Sequence, residues 1–213
     1  MTTLILIRHG ESQANRMNVF AGQINPDLEE RGVMQAELTA KYVSENYSVD
    51  KIYSSDLKRA YRTGESLARL LDMEIIPEKR LREIDGGKWE GIKFDSLAKA
   101  NPKEYDIWVK NIGEFPGVEG ESMKEVGERI MGILTEIAEA NDGKTVAITT
   151  HATPISVAVS LILHGSLAKM RDLPWATNAS VTVLEYENKK WNVTLYSEDS
   201  HLKELRTALG ENV

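Results

Sequence analysis

Two histidines carry the first chemical signal in this chain. His9 follows the apolar run Leu4–Ile7 in LILIRHGESQAN, and His151 follows Thr145–Thr149 in AITTHATP. Short apolar runs that break off at turn residues read as buried strands leaving a sheet. Each histidine is thereby placed just past the carboxyl end of a strand, where α/β sheets bind their ligands. Arg8 precedes His9, and neighbours in a regular strand point to opposite faces. Gly10 supplies the backbone freedom to turn both inward. A neutral imidazole can attack phosphorus, and a guanidinium fork matches phosphate oxygens. A lone strand-end histidine is more often a hydrogen-bonded structural residue. Two at equivalent positions, one flanked by arginine and glycine, point to the handling of a phosphate dianion.

The elements that must position these residues alternate. The apolar stripe Val33, Ala36, Ala40, Val43 and Tyr47 predicts a helix over 30–47. Ile52–Tyr53 is a short strand, and Ser54, Ser55 and Asp56 are candidate N-caps for a helix carrying Leu57, Ala60, Gly64, Leu67 and Leu71. Glu74–Ile76 is another short strand. The segment 79–120 is irregular, with short helices expected around Asp95–Ala100 and Pro102–Lys110, and it has the character of a binding rim or lid. Ser122 and Glu125 form a capping-box signature before a long amphipathic helix ending at Asn141-Asp142-Gly143. A buried helix from Thr153 to Leu163, a hairpin of Ser180–Tyr186 with Trp191–Tyr196, and a helical tail over His201–Leu209 complete the reading. Strands alternating with helices predict a three-layer α/β/α sandwich around a largely parallel sheet. With no linker or repeat in view, residues 1–213 are expected to form one domain.

Composition narrows the function. A formal net charge of −7 argues against nucleic-acid binding, whose footprint is basic. It leaves room for an anionic small molecule, since local arginines reverse the field inside a cleft. The chain has no cysteine, which removes disulfides, thiolate metal sites and cysteine nucleophiles. The four apolar residues before Arg8 are too few for a signal-peptide core, and no run is long enough to span a membrane. A soluble cytoplasmic protein without membrane or nucleic-acid partners is the expectation, and its oligomeric state is left open.

LIRHGES with Asn15 resembles the phosphate-binding signature of the histidine phosphatase superfamily, the branch that is similar to phosphoglycerate mutase. Four more segments resemble that family in order: YSSDLKRAYRTGE at 53–65, LREIDGGKWEG at 81–91, GESMKEVGER at 120–129 and AITTHATP at 147–154. An isolated Arg-His-Gly is a weak signal; five ordered segments are a strong one. The resemblance implies a phosphoglycerate mutase-like fold, with His9 as the phosphoryl acceptor and Arg8, Arg59 and Asn15 on the phosphate oxygens. It implies that His151 stabilises the group in flight and that Glu83 is the proton donor to the leaving oxygen. Gln23 and the backbone of Ala152 are implied neighbours of the phosphate. On physics alone Arg62, three residues after Arg59, could also reach it. Thr153-Pro154 departs from the family's usual small residues after the second histidine. No metal or other cofactor is implied.

The resemblance leaves three activities. The favoured one is a metal-independent phosphomonoesterase acting on a small phosphorylated metabolite. The alternative is a phosphoglycerate mutase dependent on 2,3-bisphosphoglycerate, which must grip a second anionic group. Between Arg82 and Arg129 there are only lysines and no arginine, so bidentate donors for that group are missing. The third, an inactive phospholigand binder, is disfavoured because no motif residue is lost.

Overall fold

The computed structural model describes residues 1–207. The chain runs β1 (Thr2–Arg8), α1 (Gln13–Arg16), α2 (Glu30–Asn46), β2 (Lys51–Ser54), α3 (Lys58–Leu71) and β3 (Ile75–Pro77). It continues through α4 (Phe94–Ala100), α5 (Pro102–Lys110), α6 (Met123–Ala140), β4 (Thr145–Thr150), α7 (Ala152–His164), β5 (Val181–Glu187) and β6 (Lys190–Glu198). Six strands form one sheet in the order β3-β2-β4-β1-β5-β6. The first four are parallel, and β5 and β6 join antiparallel to β1 and to each other. The sheet is thus largely parallel, as expected, with an antiparallel hairpin closing one side.

β1 is apolar at every position from Leu4 to Ile7 because both its faces are covered. Leu4 and Leu6 pack with Val146, Ile148 and Leu184 beneath α6 and α7. Ile5 and Ile7 pack with Ile52, Ala147 and Val183 beneath α2 and α3. The parallel register of β1 and β4 sets Arg8 opposite Thr150. His9 and His151, each one residue further on, are neighbours for that reason.

Several local expectations change in the structure. The N-cap of α3 is Leu57, without a side-chain cap bond. Its Lys58 N–H is instead met by Asn25 Oδ1 at 2.7 Å, and Asp56 turns away to Arg82. The segment 79–120 is less a loose rim than an aromatic extension of the core beneath α6 and α7. Trp89 is fully buried in it, packed on Phe20, Trp108 and Phe115. The tail forms a 3₁₀ run over Ser200–Leu205 rather than an α-helix, and Ala208 and Leu209 of the expected helix lie outside the described residues. Gly10 does not adopt a positive φ. It is needed because a Cβ there would overlap the Gly32 carbonyl at the start of α2. The strand end reaches the site by close approach to α2, not by a left-handed turn.

Candidate active site

A cavity of about 300 Å³ opens at the carboxyl edge of the sheet, with Arg8, His9, Arg59, Asn15 and Asn178 in its lining. Arg8 and His9 end β1; Arg59 stands on the first turn of α3; Glu83 and Ile84 come from the loop after β3; Ala152 and Thr153 open α7.

His9 is held in one tautomer. Its Nδ1 lies 2.7 Å from the Gly10 carbonyl, which can only accept, so Nδ1 carries the proton. Nε2 therefore keeps its lone pair, and Arg59 Nε donates to it at 3.2 Å. Burial, then the charges of Arg59 and Arg8, push the His9 imidazole well below its ordinary range; the Gly10 contact opposes them weakly. His151 is pushed the same way, first by burial and then by Arg59. The two rings meet edge to face with centroids 5.2 Å apart. His151 sits behind His9 rather than among the lining residues, with Nε2 at 2.8 Å from Ser55 Oγ and its buried Nδ1 unpartnered.

Both arginines are almost fully buried, at 5% and 1% exposure. Burial lowers each to about 10, with Glu83 acting to raise them, so both remain cationic at neutral pH. Arg8 Nη1 donates to the Ala176 carbonyl, while its Nε is unpartnered. Arg59 donates to the carbonyls of Gly22 and Ile24 at 2.7 and 2.9 Å. That loop is fixed in turn by Glu90, whose Oε1 accepts from the Gln23 and Gly86 N–H groups. Glu83 accepts from the Ile84 N–H at 2.8 Å and from the Thr153 N–H at 3.4 Å. The departure Thr153-Pro154 has a use here. Thr153 gives its free helix-start N–H to Glu83, and Pro154, in the first turn, has none to leave unsatisfied.

The structure brings Arg8, His9, Asn15, Arg59, Glu83 and Ala152 together on one cavity, with His151 directly behind. Gln23 is not among the lining residues: its amide donates to the Glu83 carbonyl and accepts from Arg82. Arg62 is separated from the site, paired with Asp27 at 2.7 Å on the surface. Sequence reasoning missed Asn178, whose Nδ2 bridges the His9 carbonyl and Asn15 Oδ1, and Ser55 behind His151. Asn178 stands in a loop with no motif around it. Ser55 lies within the 53–65 segment, and its position one residue past β2 is the signal that marks it.

Fold and site define a class: a phosphoglycerate mutase-like α/β/α protein whose central strands end in two neutral histidines between buried arginines. Residues 4–199 match the profile of the histidine phosphatase superfamily (branch 1), and the chain belongs to that family. Phosphoserine phosphatase 1 of Hydrogenobacter thermophilus is 35% identical over 198 residues, 92% of this chain and 91% of its own. The metal-independent phosphoserine phosphatase of Arabidopsis thaliana is 32% identical over 205 residues, 95% of this chain and 84% of that one. The solved structure of Bacillus stearothermophilus YhfR superposes with a TM-score of 0.90 at 28% identity, over 95% of this chain and 100% of its own.

Proposed function

We propose that this chain is a metal-independent phosphomonoesterase that hydrolyses a small phosphorylated metabolite through a phosphohistidine on His9. The observation that carries the reading is the His9 tautomer: Nδ1 tied to a carbonyl, and an unprotonated Nε2 between two buried guanidinium groups. The names of the two phosphoserine phosphatases support hydrolysis, and that of the Arabidopsis protein supports the absence of a metal requirement.

In the first step Nε2 attacks phosphorus, the N–P bond forms and the ester P–O bond breaks. Arg8 and Arg59 hold the equatorial oxygens, and Asn15, steadied by Asn178, adds a further hydrogen bond. Ser55 accepts from the Leu57 N–H; donating its own proton to His151 Nε2 leaves the proton of the neutral His151 ring on Nδ1, behind His9. Glu83 gives its proton to the leaving alkoxide. In the second step a water attacks phosphorus, passes a proton to Glu83 and frees His9 as inorganic phosphate departs. Positioning and charge do most of the work, as in phosphoryl transfer generally. A mutase would need cations for a second anionic group. Among the described residues, no Lys or Arg beyond Arg8 and Arg59 lines the cavity, which favours hydrolysis.

Rapid acid-quench with ³²P-labelled esters tests this. An acid-labile, alkali-stable phosphoenzyme is expected in the wild type and none in His9→Ala, whose turnover falls by about 10⁴-fold or more. No phosphoenzyme with any ester, or efficient bisphosphoglycerate-dependent isomerisation without phosphate release, would overturn it.

A further inference from the structure

We infer that the ester hydrolysed here carries an uncharged, apolar leaving group about the size of one ring, rather than an amino-acid or carboxylic-acid one. The inference rests on the hydrolase reading above and concerns the lining of the same cavity.

The cavity lining is cationic around His9 and carries an aromatic wall beside it. Phe20, Phe94, Trp108 and Trp175 make up that wall. Their rings touch in series: Phe94 to Phe20 at 5.6 Å, Phe20 to Trp108 at 5.3 Å, and Trp108 to Trp175 at 6.3 Å with planes 21° apart. The wall is held from behind, because Trp89 packs on both Phe20 and Trp108, and Phe115 packs edge to face on Trp108. A supported wall of this kind stays open for an apolar guest instead of collapsing on itself. The volume, about 300 Å³, is at the small end for a ligand pocket and suits a phosphoryl group with one compact substituent.

Charge then decides what that substituent is. Apart from His9, the titratable residues lining the cavity are, among the described residues, Arg8, Arg59 and Glu83. In the reading above, both arginines are taken up by the phosphoryl oxygens, and Arg59 is further tied to two loop carbonyls. Among the described residues, a carboxylate on the leaving group would therefore meet no cation of its own and would lose its hydration. An ammonium would have to compete for Glu83, whose two oxygens already accept from Ile84 and Thr153. Neutral polar groups such as Asn18 and Thr207 complete the lining.

The experiment compares primary alkyl phosphates, so that leaving-group acidity stays similar. For the full chain, kcat/KM for 2-phenylethyl and 2-cyclohexylethyl phosphate is expected to exceed that for phosphoserine and 3-phosphoglycerate by about tenfold or more. Trp175→Arg places a cation in the aromatic wall and is expected to narrow or invert that ratio in favour of the acids. Phe94→Leu, a milder change, should narrow it by weakening the ring-bearing esters alone. Equal or better turnover of phosphoserine or 3-phosphoglycerate by the wild type overturns the inference. If that preference is accompanied by an acid-labile phosphoenzyme, the hydrolase reading survives and only the leaving-group assignment falls. If no ester is turned over and no phosphoenzyme forms, both fall together.

Discussion

His9 and His151 are neutral bases kept neutral by the fold. Burial comes first among the causes, and the cations that would hold a substrate phosphate come next. The same arrangement costs stability in acid. In the unfolded chain each histidine takes up a proton near pH 6.5, whereas in the native state its pKa is depressed. Stability contributed by the neutral state is complete above about pH 6.5 and is lost as pH falls toward the native values. Once the unfolded histidines are charged, the slope approaches about 1.4 kcal/mol per pH unit for each. His201, also depressed by burial, adds to it. Carboxylates such as Asp56 and Glu78, held low by hydrogen bonds from Arg82 and Arg80, act in the same sense but at lower pH. Urea unfolding between pH 5 and 6.5 should therefore show a slope that His9→Ala reduces by about a third to a half. An unchanged slope would mean that His9 is protonated in the native state.

At the scale of elements, the site depends on how α6 grips the Glu83 loop. Arg129 donates to the carbonyls of Arg80 and Arg82 at 2.7 and 2.9 Å and forks onto Glu121. Glu121 in turn accepts from the Asp85 N–H. Glu83 is thus held from both sides by Arg129 of α6 and by Glu121 in the loop before it, neither of which lines the cavity. Arg129→Leu is expected to lower kcat by about tenfold with a smaller change in KM, since it displaces the proposed proton donor but not the proposed phosphate ligands. Arg129→Lys should not restore it, because an ammonium cannot fork. Loss of KM instead of kcat in steady-state assays would assign Arg129 a different role. α6 itself was legible in the sequence, because its capping box, Ser122 with Glu125, and its apolar stripe are local. So were β1, β4 and the residues after them, where burial on both faces forces an unbroken apolar run. The start of α3 was not, because its cap comes from Asn25 far upstream. Gln23 was assigned to the phosphate from resemblance, and only tertiary structure shows its amide spent on the Glu83 carbonyl. The need for Gly10 was legible, but its reason, the carbonyl of Gly32, was not. Local periodicity announces elements; contacts between distant loops leave no trace in spacing.

At the scale of the molecule, the sheet joins parts of the chain that a linear reading keeps apart. β1 sits between β4 and β5, so the first strand is completed only by residues after 144. Cutting the chain anywhere between β3 and β4 leaves one piece with β1 and no partner on either side. From that topology we expect one cooperative unfolding transition for the sheet and the helices packed on it. The tryptophans provide a specific check. Trp89 and Trp108 lie in the core beneath α6 and α7, and Trp175 and Trp191 pack against it. The core beneath α2 and α3 contains none of them. Tryptophan fluorescence therefore reports one face of the sheet, whereas far-UV circular dichroism reports both. If the aromatic insert over 79–120 were an independent unit, fluorescence would change at lower urea than circular dichroism. Because its rings are shared with Phe20, and its Leu81 carbonyl accepts from Thr150 at the end of β4, we expect the two curves to superimpose. Midpoints that separate beyond experimental error would show that the wall of the cavity can open while the sheet stays folded.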